Sequence, residues 1–255
     1  MNFIVSASTD VGITKKNNQD SLSVKVLNTP TGRMVFAIVC DGMGGLEKGE
    51  VASATVIKAF ENWLLNRLPI LSTVPIHSDQ LREEWQKIVT DINEKIKAYG
   101  KRQGINLGTT AAVLLLTQTE YYIMNVGDSR VYEIYDKTVQ LTNDQTFVAR
   151  EIALGRMTPE QAKVDSRRNV LLQCIGASEN VYPDFFVNRV KQNAVYLLCS
   201  DGFRHEITSE EIYHYLNPSQ LINQGMMTNN TKRLIELNKQ RQETDNITAL
   251  LVKTY

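Results

Sequence analysis

The chain has 255 residues, of which 42% are hydrophobic and 22% are charged, as in globular proteins that bury a substantial core. Lys plus Arg and Asp plus Glu both number 28, so the chain lacks the basic excess of a protein that wraps nucleic acid. No apolar run approaches the roughly 20 residues of a membrane span. The opening MNFIVSASTD has neither the basic n-region nor the long apolar h-region of a signal peptide. We therefore expect a cytoplasmic protein without a membrane or nucleic-acid partner, whose three cysteines are reduced.

Short β-rich runs fill two parts of the sequence. They are Phe3–Ser8, Leu22–Leu27, Met34–Cys40, Thr109–Thr117, Tyr121–Val126 and Val131–Tyr135. Turn signals such as Thr29–Gly32 separate them, and within each block there is no room for a helical crossover. This close spacing predicts antiparallel pairing.

Two amphipathic helices are predicted between the strand blocks. One covers Val51–Leu68, and the other repeats apolar residues at spacings of three and four from Leu81 to Tyr99. The last part of the chain adds two helix starts and two strands, at Thr158, Thr208, Val195–Cys199 and Ile247–Val252. Strand blocks separated by paired helices favour sheets sandwiched between helix layers, within one domain covering residues 1–255.

Several aspartates lie at the ends of strand-like runs, beside glycine or a small polar residue. They are Asp20, Asp41, Asp128, Asp201 and Asp245. Carboxylates anchored at strand ends can converge while staying hydrated, and they repel one another unless a cation lies between them. Oxygen ligands without a Cys/His cluster favour a hard ion, Mg²⁺ or Mn²⁺. One Asp-Gly after a strand is more often a turn, so the prediction depends on the whole set.

Six motifs run along the chain, and five of them contain one of these aspartates. In chain order they are Asp10–Gly12 through Asn18–Ser21, then Val39–Gly45, Gly108–Thr110, Asn125–Arg130, Ser200–Gly202 and Asp245–Thr248. Together they resemble the metal-dependent serine/threonine protein phosphatases of the PP2C type, in their compact bacterial form. The resemblance covers nearly the whole chain, and the order of the motifs makes it specific. It implies an α+β fold, a four-layer α-β-β-α sandwich of two antiparallel β-sheets flanked by helices.

The resemblance also implies a centre of two Mn²⁺ or Mg²⁺ ions in a cleft at one end of the sandwich. By position, Asp41 bridges both ions and the carbonyl oxygen of Gly42 binds one of them. Asp201 and Asp245 hold the other ion, and Asp20 supports the centre through bound water. Asp41, Asp201 and Asp245 are thus the expected catalytic residues, and a metal-activated water attacks phosphorus directly.

Three departures from the family pattern concern the edge of this centre. Lys15 replaces the family's phosphate-binding arginine, so we expect a point charge on the substrate phosphate instead of a bidentate fork. Gln19 replaces a glutamate and removes one negative charge. Asp128 matches a residue that helps to hold a third, weaker ion, but His205 stands where many relatives carry an acidic residue near that ion.

Residues 143–177 resemble the family's flap beside the cleft, where Arg156, Arg167 and Arg168 are candidates for contact with the substrate. The other interpretation of this segment is an ordinary surface helix with turns. Cysteine phosphatases are excluded, since none of the three cysteines begins a Cys-x5-Arg motif.

The expected substrates are phosphorylated proteins, with a serine/threonine kinase and its targets as partners, and the chain is expected to be a monomer. Two alternatives stay open. A metal-free pseudophosphatase would use the fold as a binding module, but it should have lost metal ligands. A phosphatase dedicated to one phosphorylated regulator would have the same catalytic residues.

Overall fold

The computed structural model describes residues 1–44 and 48–255. Gly45, the last residue of the second motif, lies outside the described residues. The strands are β1 (Phe3–Asp10), β2 (Ser21–Thr29), β3 (Gly32–Cys40), β4 (Gly42–Gly44), β5 (Leu107–Thr109), β6 (Ala111–Leu116), β7 (Glu120–Val126), β8 (Arg130–Ile134), β9 (Thr138–Gln140), β10 (Asp184–Arg189), β11 (Val195–Cys199) and β12 (Ile247–Thr254). The helices are α1 (Gly49–Asn66), α2 (Leu68–Leu71), α3 (Ser78–Gln103), α4 (Phe147–Ala153), α5 (Pro159–Val164), α6 (Asp201–Arg204), α7 (Ser209–Leu216) and α8 (Gln224–Gln240).

Two large sheets form the centre of the fold. One has the strand order β1-β12-β11-β8-β9 and the other β10-β7-β6-β3-β2, and β4 pairs with β5 in a small separate ribbon. Every pairing in the two large sheets is antiparallel. One buried cluster lies between the sheets, a second joins α1 and α3 to the β3 sheet, and a third joins α6, α7 and α8 to the β12 sheet. The predicted sandwich of two antiparallel sheets flanked by helices is confirmed.

Strand β3 shows why its sequence is almost continuously apolar. Val35, Ala37 and Val39 face the other sheet, whereas Phe36 and Ile38 face the helices α1 and α3. Successive side chains of a strand point to opposite faces, and both faces of this strand are covered, so no polar alternation can develop. The same double burial applies to β11.

Local chain chemistry explains where the elements differ from the prediction. The first long helix ends at Asn66 and not at Leu68, because Pro69 has no N–H group to continue the helical bonding. The predicted strand from Thr109 to Thr117 is two strands, β5 and β6, interrupted at Thr110. Strand β10 and helix α4 were not predicted, since β10 is half exposed and carries only a weak apolar pattern.

Among the described residues, no helix is both long enough and apolar enough to cross a bilayer.

Candidate active site

The aspartates predicted from the sequence lie at one edge of the two sheets. Asp41 directly follows β3 and Asp20 precedes β2 in one sheet, while Asp201 follows β11 and Asp245 precedes β12 in the other. The hydroxyl group of Ser200 donates a 2.9 Å hydrogen bond to Oδ2 of Asp20 and so links the two sheets at this edge. The fold therefore gathers these four carboxylates, with Asp128 beside them.

Asp41 is fixed by hydroxyl and amide groups at the break between β5 and β6. Its N–H group donates to Oγ1 of Thr110 at 3.0 Å. Its carbonyl oxygen accepts from the N–H of Thr110 at 2.9 Å and from the hydroxyl of Thr109 at 2.9 Å. The hydroxyls of Thr110 and Ser129 share a 2.7 Å hydrogen bond, and both residues are buried. The interruption of the predicted strand thus holds the backbone of Asp41.

Gly42 is packed closely against the backbone of two other segments, the loop before β2 and the start of α1. A Cβ atom here would lie 2.4 Å from the carbonyl oxygens of both Gln19 and Gly49. Any side chain would push the start of α1 and the loop before β2 away from Asp41. The site therefore requires glycine at this position because of close backbone approach.

Asp20 and Asp41 carry their charges in an unfavourable environment. Burial, together with the charges of Asp201 and Asp245, raises the pKa of Asp20 to about 7 in spite of hydrogen bonds from Thr248 and Ser200. Burial and the four neighbouring aspartates raise the pKa of Asp41 well above its usual range. These two carboxylates are less hydrated than the sequence suggested, and in this cluster they repel one another.

The donor chemistry of the cluster fits a hard cation. Oδ1 of Asp20 and Oδ1 of Asp201 are both buried, and neither has a hydrogen-bond partner in the described part of the chain. Buried acceptors are normally satisfied, and a cation would satisfy them and relieve the repulsion. Across residues 1–44 and 48–255, no three His, Cys, Asp or Glu side chains are arranged to hold a metal ion as they stand. The residues thus fit a hard cation in the type and charge of their donor atoms, and the structure does not show a coordination geometry.

Asn246 attaches the loop before β2 to the start of β12. Its Oδ1 atom accepts from the N–H of Gln19 at 2.8 Å, and its Nδ2 atom donates to the carbonyl oxygens of Val11 and Asn17 at 2.9 and 3.2 Å. Gly12 has a φ angle of +78°, and a Cβ atom there would lie 2.2 Å from the carbonyl oxygen of Asp245. The loop is therefore held tightly against the strand that follows Asp245.

This attachment places Lys15 at the open side of the cluster. Its Nζ atom lies 2.9 Å from Oδ1 of Asp245. Burial alone would lower the pKa of Lys15, but the contact with Asp245 and the charges of Asp41 and Asp201 outweigh it and raise this pKa above its usual value. The ammonium group is thus a permanent positive charge at the rim of the carboxylates.

Asp128 lies in a separate group of alternating charges. The Nη2 atom of Arg204 contacts both Oδ2 and the carbonyl oxygen of Asp128 at 3.1 Å. Asp144 accepts two hydrogen bonds from Arg130, at 2.8 and 2.6 Å. His205, next in the chain, lies with Nε2 3.6 Å from Oδ2 of Asp201.

A cleft of about 770 Å³ opens beside this charged group. Asp128 and Arg204 line it together with Ile152, Lys163 and Arg168, which belong to the segment predicted to be a flap. The segment therefore shares a cleft with Asp128.

A family model described as protein phosphatase 2C matches residues 13–240. The chain belongs to this family. A relative in Listeria innocua, serine/threonine phosphatase stp, is 30% identical over 249 residues, which cover 96% of this chain and 93% of the relative.

Solved structures agree with this assignment. The serine/threonine phosphatase Stp1 from Staphylococcus aureus superposes with a TM-score of 0.84 at 27% identity, covering 100% of this chain and 96% of that protein. The catalytic domain of the serine/threonine protein phosphatase PstP, solved in complex with two manganese ions, gives a TM-score of 0.77 at 28% identity, covering 98% of this chain and 97% of that domain. The chain is a serine/threonine protein phosphatase.

The sequence indicated the five neighbouring aspartates but not the residues that hold their segments in place. Ser200 and Asn246 stand beside Asp201 and Asp245, so their positions in the motifs were available as a signal. Arg204 and Asp144 carried no signal, because only the folded chain brings them to Asp128.

Proposed function

We propose that this phosphatase hydrolyses phosphoserine and phosphothreonine in proteins with two bound Mn²⁺ or Mg²⁺ ions. The observation that carries the proposal is the pair of buried carboxylate oxygens, Oδ1 of Asp20 and Oδ1 of Asp201, that have no hydrogen-bond partner among the described residues. The raised pKa values of Asp20 and Asp41, caused by burial and by their acidic neighbours, agree with it. Such a cluster is stabilised by cations. The two manganese ions in the related PstP domain support the same interpretation.

The residues that would hold the ions are those at the strand ends. Asp41, the carbonyl oxygen of Gly42, Asp201 and Asp245 would hold the two ions, and Asp20 would support them. When bound, such ions act as Lewis acids that lower the pKa of water and offset the charge of a phosphoryl group. A metal-free binding module is disfavoured because all of these carboxylates are present.

The protein's own groups would orient the substrate and the ligands. Lys15 reaches the open side of the cluster and would bind a phosphate oxygen as a point charge. Thr110 holds the backbone of Asp41 on one side, and Asn246 holds the loop of Lys15 on the other. The reacting groups would therefore be fixed before the substrate arrives, which favours catalysis by positioning.

The test is hydrolysis of a phosphoserine peptide in buffers with defined Mn²⁺ and Mg²⁺. Activity should require one of these ions and disappear in excess chelator. Asp41→Ala should lower kcat by more than the roughly 10–100-fold seen when outer-shell partners of a metal are removed. The matched control is Asp91→Ala, an exposed aspartate on α3. Full activity in excess chelator would overturn the proposal.

We also propose that the cellular role is to oppose a cytoplasmic serine/threonine kinase. Support comes from the phosphoprotein substrates implied by the serine/threonine phosphatase relatives and from three cysteines that all carry free thiols. Phosphoproteomics after removal of the protein should show increased phosphorylation of the kinase and several of its targets. Increased phosphorylation at one site only would identify a dedicated phosphatase of a single regulator instead.

We further propose that residues 1–255 act as one monomeric catalytic domain, with residues 143–177 as a flap. The pairing of β1 with β12 joins the two ends of the chain in one sheet and supports a single cooperative unit. Light scattering after size exclusion should give the mass of one chain, and urea unfolding should show a single transition. A dimer mass or two separate transitions would contradict this.

A further inference from the structure

Arg204 is a buried charge directed at a single aspartate. Its side chain is 11% exposed and that of Asp128 is 9% exposed. The Nη2 atom of Arg204 contacts the carboxylate and the carbonyl oxygen of Asp128, both at 3.1 Å. A buried guanidinium needs acceptors for its charge, and Asp128 supplies two of them to Nη2, while Nε of Arg204 is buried without a partner among the described residues.

The surroundings of Arg204 balance its charge without any ion. Asp144 lies 3.7 Å from Arg204 and forms a two-bond contact with Arg130. Arg130, Asp144, Arg204 and Asp128 therefore alternate in charge and sum to zero. At the strand-end cluster the buried atoms without hydrogen-bond partners among the described residues are carboxylate oxygens, which a cation would satisfy, whereas beside Asp128 the unpartnered atom is the donor Nε of Arg204, which a cation would not satisfy.

His205, the residue after Arg204, does not supply the oxygen ligand that a third ion would need. Nε2 of His205 lies 3.6 Å from Oδ2 of Asp201, and its Nδ1 lies 3.3 Å from Oε2 of Glu243. An imidazole held between two carboxylates adds no oxygen ligand for a hard cation. Asp128 is then the carboxylate that the family pattern leaves for a third ion, and its Oδ2 atom and carbonyl oxygen face a guanidinium group.

We propose that the guanidinium group of Arg204 takes the place of a third metal ion, so that this phosphatase binds two ions and Asp128 is not a metal ligand. The inference rests on the proposed two-metal function. A divalent ion at Asp128 would lie next to the positive charge of Arg204, and the repulsion would oppose its binding. Arg204 is thereby a positioning residue that holds the loop of Asp128 and, through Asp144, the start of the flap segment.

The experiment counts bound Mn²⁺ ions from the loss of the free-ion signal in electron paramagnetic resonance, up to millimolar Mn²⁺. Wild-type protein should bind two ions. The double variant Arg204→Gln/His205→Asp removes the guanidinium and supplies a carboxylate, and it should bind three. The matched control is Arg241→Gln, which breaks an exposed ion pair with Glu211 and should leave the count at two.

A second variant keeps the test decisive if the double variant fails to fold. Asp128→Asn should still bind two ions, because Asp128 is not a ligand. Three ions in wild-type protein, two in a folded double variant, or one in Asp128→Asn would each overturn the inference. No bound ion in wild-type protein would overturn the proposed two-metal function itself, and the inference with it.

Discussion

The Nζ atom of Lys15 lies 2.9 Å from Oδ1 of Asp245, and 42% and 38% of the two side chains are exposed. A half-exposed ion pair contributes at most about 1 kcal/mol to stability. Lys15 is therefore nearly dispensable for folding, and the effects of its removal report on the active site.

Lys15→Ala should raise KM for a phosphoserine peptide about 10- to 100-fold, since one charge-assisted contact is worth roughly 1.5–3 kcal/mol. Lys15→Arg should retain or improve binding, because its fork can hold two phosphate oxygens. Steady-state kinetics on the same peptide measures both. The control is Lys16→Ala, the exposed neighbour. Equal, small changes in Lys15→Ala and Lys16→Ala would show that Lys15 does not bind phosphate.

Arg168→Ala should reduce kcat/KM for a phosphoprotein by about tenfold, the value of one charged contact, and for a small aryl phosphate by less than about twofold. Arg168 lines the cleft beside Asp128, so we expect contact with a phosphoprotein and not with a small aryl phosphate. Arg167 instead binds Asp165 and stacks 4.1 Å from the ring centre of Phe147, so it supports the segment itself. Arg156, also a candidate from the sequence, is 66% exposed, pairs with Glu151 and is not among the described residues that line the cleft, so Arg156→Ala is the control. Equal losses on both substrates would show that Arg168 supports the fold.

Thr110→Val should destabilise the protein by about 1–3 kcal/mol, because it leaves the N–H of Asp41 without its acceptor. Mn²⁺ affinity should fall as well, since the backbone of Asp41 is released. Urea unfolding and isothermal titration measure the two effects. Thr90→Val is the matched control, because its exposed hydroxyl bonds only within α3. A Thr110→Val protein with wild-type stability would refute this role.

The stability lost in Asp144→Asn should depend on pH. Burial alone would raise the pKa of Asp144, but hydrogen bonds from Arg130 and the charge of Arg204 outweigh it and lower this pKa. A lowered pKa stabilises the fold above the unfolded value of about 3.9, and the stabilisation is lost as pH falls through the folded value. The difference in unfolding free energy from wild type should therefore shrink below about pH 4. Asp91→Asn, an exposed control, should show no such trend.

Strong local patterns made much of the fold predictable. The run Met34–Cys40 could only be a strand covered on both faces, and Thr158 and Thr208 form the capping boxes expected from their sequences. The break at Thr110 was not predictable, since its cause is a bond to Asp41 from a distant part of the chain.

The acidic residues of the candidate site were predictable, but the basic residues that pair with them were not. The strand-end aspartates could be identified as a set, because each follows or precedes an apolar run and their motifs come in a specific order. Their burial and the pairing of Asp128 with Arg204 depend on how two sheets and α6 meet. Periodicity carries no information on contacts between segments so far apart in the chain.

The position of β12 between β1 and β11 constrains how the protein can be made. Almost the whole chain separates β1 from its partner, so at about 5–20 residues per second the first strand waits tens of seconds on the ribosome. Until β12 emerges, the inner edges of β1 and β11 are open to wrong pairing. The sheet beside Asp245 therefore closes only after Ile247–Thr254 has left the ribosome, and until then its open edges are exposed to chaperones.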